Sequence, residues 1–381
     1  MFRYYIQVLG CAMRGVEAQR VNLYLQLNGG TETNLEEADI IVFFSCSIIS
    51  NTEEHTIESL KQFAPLNKRI ILLGCSPGMS QVRIAEVFDG EMLATKDLED
   101  IDRFFPEFEK KFSEIPLPSE YHFNFPYGEV YISDFLKFRT WGNRIRNMQP
   151  RLIVTSKGCN NACSYCSVRK ALGQLKSYPW SEIISQYKTS LNQGYKVFIF
   201  NGDDTGAFVT EDGKNFGDLL LELHAVSAKK NIRWIIDNFH PQWFIKYFDI
   251  IKTLAEKKRI VEIILPLQSA SDPMLKMMRR KHTLAEVLPL IRELKATVPR
   301  VSVRTHFIIG FPGETIDDIT NIKQLVALKY FSHIVLLRYY ETGNPSSQSF
   351  TPKIPAVVVE ERILGLQAFI ESHDIKCELT G

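Results

Sequence analysis

Leu152-Ile153-Val154-Thr155-Ser156-Lys157-Gly158-Cys159-Asn160-Asn161-Ala162-Cys163-Ser164-Tyr165-Cys166 opens as a run of apolar and β-branched residues and closes on three cysteines. Leu152–Thr155 has the make-up of a buried strand, and Gly158 ends it. The cysteines follow as C-x3-C-x2-C with an aromatic residue before the last. Three thiolates in that spacing hold three irons of a cubane cluster and leave the fourth iron without a protein ligand. Structural zinc takes four closed ligands, commonly two C-x2-C pairs, and no second pair follows here.

Downstream of this loop the pattern alternates. Ile183, Ile184, Tyr187 and Leu191 mark a helix ending at Gly194, and Lys196–Phe200 is the next strand. Ile232–Ile236, Val261–Leu265, Val301–Ile309 and His333–Leu337 read as further strands, with helices over Pro273–Lys295 and Thr315–Lys329. Repeated βα units predict a full or partial (β/α) barrel, whose ligands bind at the carboxyl ends of the strands.

Upstream lies a second alternation. Tyr4–Leu9, Ile40–Phe44 and Ile70–Leu73 are strands, with helices marked by Ala18, Val21 and Leu25 and by Ile57, Leu60 and Ala64. Such order implies a parallel sheet. Each strand runs into a cysteine: Leu9-Gly10-Cys11, Phe44-Ser45-Cys46 and Leu73-Gly74-Cys75. Burial of unrelated thiols explains each singly but not their shared place, the ligand-binding edge of a parallel sheet. Between the two alternations, Phe104–Pro150 reads as a connector with a hairpin around Tyr127-Gly128. It includes the start of a basic stretch, Phe135–Arg151, read as a solvated linker, with contact to RNA or an acidic peptide as the alternative.

The chain has 381 residues, 45% hydrophobic and 23% charged, the make-up of a globular protein with room for two domains. Its 45 basic and 44 acidic residues leave a net charge of +1, without the excess of a protein that lives on phosphates. No run is long enough to span a bilayer and no signal pattern opens the chain, so a cytoplasmic location is expected. Seven cysteines in that setting argue for metal or redox chemistry rather than disulfides. Cys377 is read as a spare thiol in a short tail.

Taken together, Leu9–Cys11, Ala38–Cys46, Gly74-Cys75, the loop Thr155–Cys166, Leu265–Lys276 and Phe307–Thr315 resemble the radical S-adenosylmethionine methylthiotransferases over Met1–Phe369. The resemblance implies an α/β chain in which an N-terminal parallel-sheet methylthiotransferase domain precedes a radical SAM partial (β/α) barrel. The expected division is 1–115 for the first domain, 116–150 for a connector, 151–350 for the barrel and 351–381 for a C-terminal helix and tail.

It also implies two 4Fe-4S clusters and S-adenosyl-L-methionine. Cys159, Cys163 and Cys166 would hold the radical SAM cluster, whose open iron chelates the cofactor, and Cys11, Cys46 and Cys75 an auxiliary cluster. The clusters and cofactor, rather than a side chain, carry the chemistry: a C–H bond becomes C–S–CH3. Tyr165, Gly202, Asp203, Asp204, Gln268, Ser269, Arg304, Gly310 and Phe311 are the expected cofactor contacts. Asp203 stands where the family usually has Gln, and a turn at a strand end is the competing account of Asp203 and Asp204. Glu314 reads as a capping charge, and His240 and His306 receive no role.

Family members continue into a small all-β RNA-binding module, and this sequence ends at Gly381 without one. The expected substrate is therefore a peptide, a ribosomally made precursor. The alternatives are a tRNA adenosine or a ribosomal-protein aspartate, and a non-catalytic iron–sulfur scaffold. A monomer served by a flavodoxin- or ferredoxin-type electron donor completes the expectation, with no membrane partner.

Overall fold

A computed structural model describes residues 1–48, 50–118, 130–132 and 150–380. The basic residues between Phe135 and Gln149 and the Tyr127-Gly128 turn lie outside the described residues. Two compact units divide the chain. One comprises the described residues of Met1–Asn143 with Ser167–Gln174 and Thr342–Asn344; the other comprises those of Arg144–Cys166 with Leu175–Glu341 and Pro345–Gly381.

The first unit is built on a parallel sheet. Its strands are β1 (Phe2–Gly10), β2 (Gly30–Glu32), β3 (Ile40–Ser45), β4 (Arg69–Gly74), β5 (Glu91–Ala94) and β6 (Val130–Ile132). The order is β2-β1-β3-β4-β5, with β6 also beside β1, and every pairing is parallel. Alternate side chains divide between the two faces, as a pleated strand requires. Ile6, Val42, Phe44 and Leu73 pack with Val21, Tyr24 and Leu25 of α1 (Ala12–Leu27). On the other face, Tyr5, Ile41, Phe43 and Leu72 meet Ile57, Leu60 and Phe63 of α2 (Ser50–Phe63). Both faces of β3 are buried, so its Ile-Ile-Val-Phe-Phe run shows no polar alternation.

Short helices α3 (Ser76–Met79) and α4 (Gln81–Ala85) follow β4. Helix α5 (Val168–Leu172), just after the cysteine triplet in sequence, also packs in this unit. A Cβ on Gly78 of α3 would stand 2.6 Å from Ala171 Cα, so the backbones of α3 and α5 meet only because residue 78 is glycine.

The second unit carries β7 (Arg151–Lys157), β8 (Lys176–Ser177), β9 (Val197–Gly202), β10 (Arg233–Ile236), β11 (Ile260–Ile264), β12 (Ser302–Ile309), β13 (His333–Arg338) and β14 (Lys376–Thr380). They lie in the order β14-β13-β12-β11-β10-β9-β7-β8, all parallel except β8 against β7. Among the described residues the two end strands do not pair, which makes this an open, partial barrel. Its core is aromatic around Tyr187, Phe198, Phe200 and Trp234. The polar edges there are satisfied: Trp234 Nε1 donates to Tyr187 Oη at 3.1 Å, which donates to Ser227 Oγ at 2.9 Å.

Two stretches differ from the sequence expectation. Pro273–Lys295 is not one helix but two, α10 (Asp272–Met277) and α11 (Leu284–Thr297) in the numbering that runs from α6 (Trp180–Asn192) through α7 (Phe216–Val226), α8 (Pro241–Lys246) and α9 (Phe248–Glu256). Arg279 takes φ +55° in the break, and Thr283 caps α11 by accepting from Glu286 N. The expected tail contains the edge strand β14, which follows α13 (Ala356–Glu371) and pairs along β13 from His333 to Leu337. The helix between β12 and β13 is α12 (Ile316–Ala327). Among the described residues no helix is long and apolar enough to cross a membrane.

Candidate metal centres

In the first unit β1, β3 and β4 are neighbours, and the residue after each is Cys11, Cys46 and Cys75. Parallel pairing brings all three cysteines to one carboxyl edge. A Cβ on Gly10 would lie 3.8 Å from Cys46 Cβ, and Cys75 N donates to Ser45 O at 3.0 Å. Gly74 takes φ +104°, and a Cβ there would stand 2.4 Å from Ser45 O, so only glycine lets β4 turn into Cys75 this close to β3. Cys11 is the N-cap of α1, its carbonyl accepting from Gly15 N at 3.0 Å.

Cys46 and Cys75 are buried and Cys11 is half-buried. Burial pushes the Cys46 thiol up to about 11 and the Cys75 thiol higher still, and the neighbouring thiols add to both shifts. A metal bound by these sulfurs would have to displace their protons, so its affinity would rise with pH. Arg14 brings a cation to these sulfurs: its Nη1 donates to Cys75 Sγ at 3.5 Å. Three sulfurs with a buried cation suit a cubane. Among the described residues no three His, Cys, Asp or Glu side chains close around a single ion.

In the second unit β7 ends at Lys157, and Gly158 (φ +80°) swings the chain into Cys159–Cys166. Loops from the next strands hold this segment. Gly158 N donates to Asp203 Oδ2 at 2.8 Å, after β9. Asn161 Nδ2 donates to Asp204 Oδ2 at 2.7 Å and to Cys159 Sγ at 3.5 Å, and Asn161 N donates to the same sulfur at 3.3 Å. Trp243 Nε1 donates to the other Asp204 oxygen at 2.8 Å. Burial raises Asp204 to about 6 against the pull of these donors. From the α10–α11 break, Arg280 Nη1 reaches Cys163 Sγ at 3.7 Å and Tyr165 Oη at 3.1 Å, while its Nη2 donates to Pro266 O at 2.7 Å. Ser164 N and Oγ donate to Met278 O and Met277 O. Cys166 is exposed, and Cys159 and Cys163 are half-buried.

Tyr165, Asp203 and Asp204 therefore gather at the triplet loop, together with Gly202, the last residue of β9. A Cβ on Gly202 would stand 2.7 Å from Ser156 Oγ. Gln268 sits at φ +77° between His306 O and Ile308 N, its buried Oε1 without a partner among the described residues, and Ser269 beside it is buried. Arg304 pairs with buried Glu262 at 3.5 Å near the amino end of β12. The space a Gly310 side chain would need holds Val359, at 2.6 Å, and Phe311 packs edge-on against Tyr339 and Phe350. Glu314 is more than a capping charge: it accepts from Gly310 N at 3.1 Å and from Arg362 Nη1 at 2.6 Å.

Arg280 and His282 are the functional neighbours that sequence reading passed over. His282 faces His240 with ring centroids 5.7 Å apart and planes at 86°. Burial and the Arg280 charge push His282 down to about 3 and His240 well below its ordinary value, so both are neutral. The signal was present: Thr283-x-x-Glu286 is a capping box that restarts a helix after Arg279–His282.

A partial barrel with C-x3-C-x2-C after its first strand, in a chain that also holds a parallel sheet with three edge cysteines, defines a radical SAM enzyme with an N-terminal cluster domain. Residues 153–326 match the Radical SAM superfamily and residues 3–94 match Uncharacterized protein family UPF0004. The chain is 27% identical over 370 residues to a probable threonylcarbamoyladenosine tRNA methylthiotransferase of Pyrococcus horikoshii, covering 95% of this chain and 82% of that one. It is 27% identical to the tRNA-2-methylthio-N(6)-dimethylallyladenosine synthase of Endomicrobium trichonymphae, over 92% of this chain and 80% of that one. Among solved structures, the fold is similar to TsrM of Kitasatospora setae, a radical S-adenosylmethionine methyltransferase (TM-score 0.62, 12% identity, 91% of this chain and 77% of that one). The chain belongs to the radical SAM methylthiotransferase family. It is a transferase whose cofactors are S-adenosyl-L-methionine and 4Fe-4S clusters.

Proposed function

We propose that this protein replaces a hydrogen of a tRNA adenosine by a methylthio group. The observation that carries the reading is the delivery of Cys11, Cys46 and Cys75 to one sheet edge by three adjacent parallel strands, in a chain that also bears the barrel triplet. When bound, the clusters and S-adenosylmethionine supply the reducing electron, the sulfur and the methyl group.

The protein's part is to hold and orient. Cys159, Cys163 and Cys166 ligate one cluster, and Cys11, Cys46 and Cys75 the other. Arg280, Asn161 and the Met277 and Met278 carbonyls fix the triplet loop, leaving its sulfurs in one arrangement. Tyr165, Gly202, Asp203, Asp204, Gln268, Ser269, Gly310 and Phe311 are the residues assigned to the cofactor, while Arg304, paired with Glu262 toward the amino end of β12, lies further from the carboxyl ends of the strands. The buried Gln268 Oε1, without a partner among the described residues, supports a polar ligand there, since buried polar atoms are rarely left unpaired.

The expectation of a peptide substrate is set aside. It rested on a segment outside this sequence, whereas the residues present are similar over nearly their whole length to relatives named for tRNA. A cytoplasmic, reducing setting and a flavodoxin- or ferredoxin-type donor fit this reading.

The test is anaerobic turnover of the reconstituted protein with bulk tRNA, S-adenosylmethionine and reductant, followed by mass spectrometry of the nucleosides. A methylthioadenosine derivative that disappears in Cys75→Ala is expected, with tRNA binding that weakens steeply as salt rises. Release of 5′-deoxyadenosine with unmodified tRNA would count against the substrate.

A further inference from the structure

Arg14 is a costly residue for its place. It lies in the first turn of α1, and its side chain is fully buried. Taking a guanidinium out of water costs several kcal/mol, and a single buried partner rarely does more than offset that. One partner is Glu17, one turn on, with Oε2 3.1 Å from Arg14 Nε. Thr95 bridges the pair: Arg14 Nη1 donates to Thr95 Oγ1 at 2.6 Å, and Thr95 Oγ1 donates to Glu17 Oε2 at 3.4 Å. The fold makes room for this arrangement, since a Cβ on Gly10 would press on Arg14 Cγ at 3.0 Å. What the arrangement accomplishes is to hold Arg14 Nη1 3.5 Å from Cys75 Sγ.

We infer that Arg14 and Glu17 form a charge couple that sets the reduction potential of the cluster on Cys11, Cys46 and Cys75, with Arg14 donating to the Cys75 sulfur and Glu17 tempering its charge. The inference rests on those three cysteines holding a cluster. A cubane on three thiolates is anionic, and each added electron deepens the charge. A cation donating to one of the sulfurs favours the reduced form, and hydrogen bonds to sulfur are a principal lever on such potentials. Buried away from water, the interaction is poorly screened. Arg14 is thus a positioning residue acting through Cys75, and Glu17 opposes it in sign.

The opposition supplies the test. Cys159→Ala/Cys163→Ala/Cys166→Ala isolates the N-terminal cluster in the full chain, and Arg14→Gln, Arg14→Lys and Glu17→Gln are made in that background. After anaerobic reconstitution, iron is counted and the midpoint is measured by electron paramagnetic resonance during dithionite titration. Arg14→Gln is expected to raise the oxidised-to-reduced ratio at fixed potential about tenfold, a fall of about 59 mV for one electron. Glu17→Gln is expected to move the midpoint upward, and Arg14→Lys to shift it less than Arg14→Gln. Should Arg14→Gln fail to fold, the upward shift in Glu17→Gln decides by itself.

Unchanged midpoints, or shifts of both variants in the same direction, overturn the inference while leaving the cluster in place. A parent triple variant that takes up no iron overturns the cluster assignment, and the inference with it.

Discussion

Gly74→Ala tests how the sheet delivers Cys75. The substitution puts a side chain where φ is +104°, and its Cβ would meet Ser45 O at 2.4 Å and Ser45 N at 2.9 Å. Those atoms are backbone of the neighbouring strand and cannot rotate away. Relief therefore requires β4 to part from β3 at its carboxyl end, with loss of the 3.0 Å hydrogen bond from Cys75 N to Ser45 O. Backbone strain of about 1–3 kcal/mol and a lost hydrogen bond of about 1 kcal/mol make a local cost near 3 kcal/mol. Hydrogen exchange by mass spectrometry reads this directly. Peptides over Ile40–Ser45 and Arg69–Gly74 should exchange roughly a hundredfold faster, with the barrel strands unchanged. Iron bound by the N-terminal trio should fall in parallel. Unaltered protection and full iron in Gly74→Ala would refute the claim that this glycine sets the thiol geometry.

The other expectations concern the barrel. Arg280→Met removes the donor to Cys163 Sγ, Tyr165 Oη and Pro266 O, and charged hydrogen bonds are worth about 1.5–3 kcal/mol each. Chelator-driven iron release from the triplet loop should accelerate by about tenfold or more, and Tyr165→Phe should have a smaller effect. His282 has its folded value depressed to about 3, whereas an exposed histidine titrates near 6.5. The unfolded chain therefore binds the extra proton between those values. This contribution is complete above about pH 6.5 and is lost as pH falls toward 3. Between pH 7.5 and 5.5 the loss is about 1 kcal/mol, visible as a lower urea midpoint, and His282→Gln should flatten that slope. Gly310→Ala would place a methyl group 2.6 Å from Val359 Cγ2 at φ +86°, so the thermal midpoint should fall by several degrees and α13 should lose protection from exchange.

Much of this architecture is written in local pattern. The strands that end in Cys11, Cys46 and Cys75 are apolar runs closed by Gly10, Ser45 and Gly74, and the structure extends them by no more than two residues at either end. Neighbours in the sheet were not readable. That β1 lies between β2 and β3 follows from crossover packing, which no single segment encodes. Short edge strands such as Gly30–Glu32 and Glu91–Ala94 carry too few residues for a period to show. The α10–α11 break was hidden because Met274, Leu275, Val287, Ile291 and Leu294 keep an apolar face through it. Only the capping box marked the restart, and with it the Arg280 contacts to the triplet loop. The partners of Arg304 and Arg14 depend on chain folding over long separations or on complete burial, and neither leaves a signature in spacing.

The central claim is that two separate cysteine trios each hold one cubane. Iron counting after anaerobic reconstitution tests it most directly. About eight irons per chain are expected, falling to about four in Cys11→Ala/Cys46→Ala/Cys75→Ala and to about four in Cys159→Ala/Cys163→Ala/Cys166→Ala. About four irons in the unaltered chain, unaffected by loss of the N-terminal trio, would contradict it.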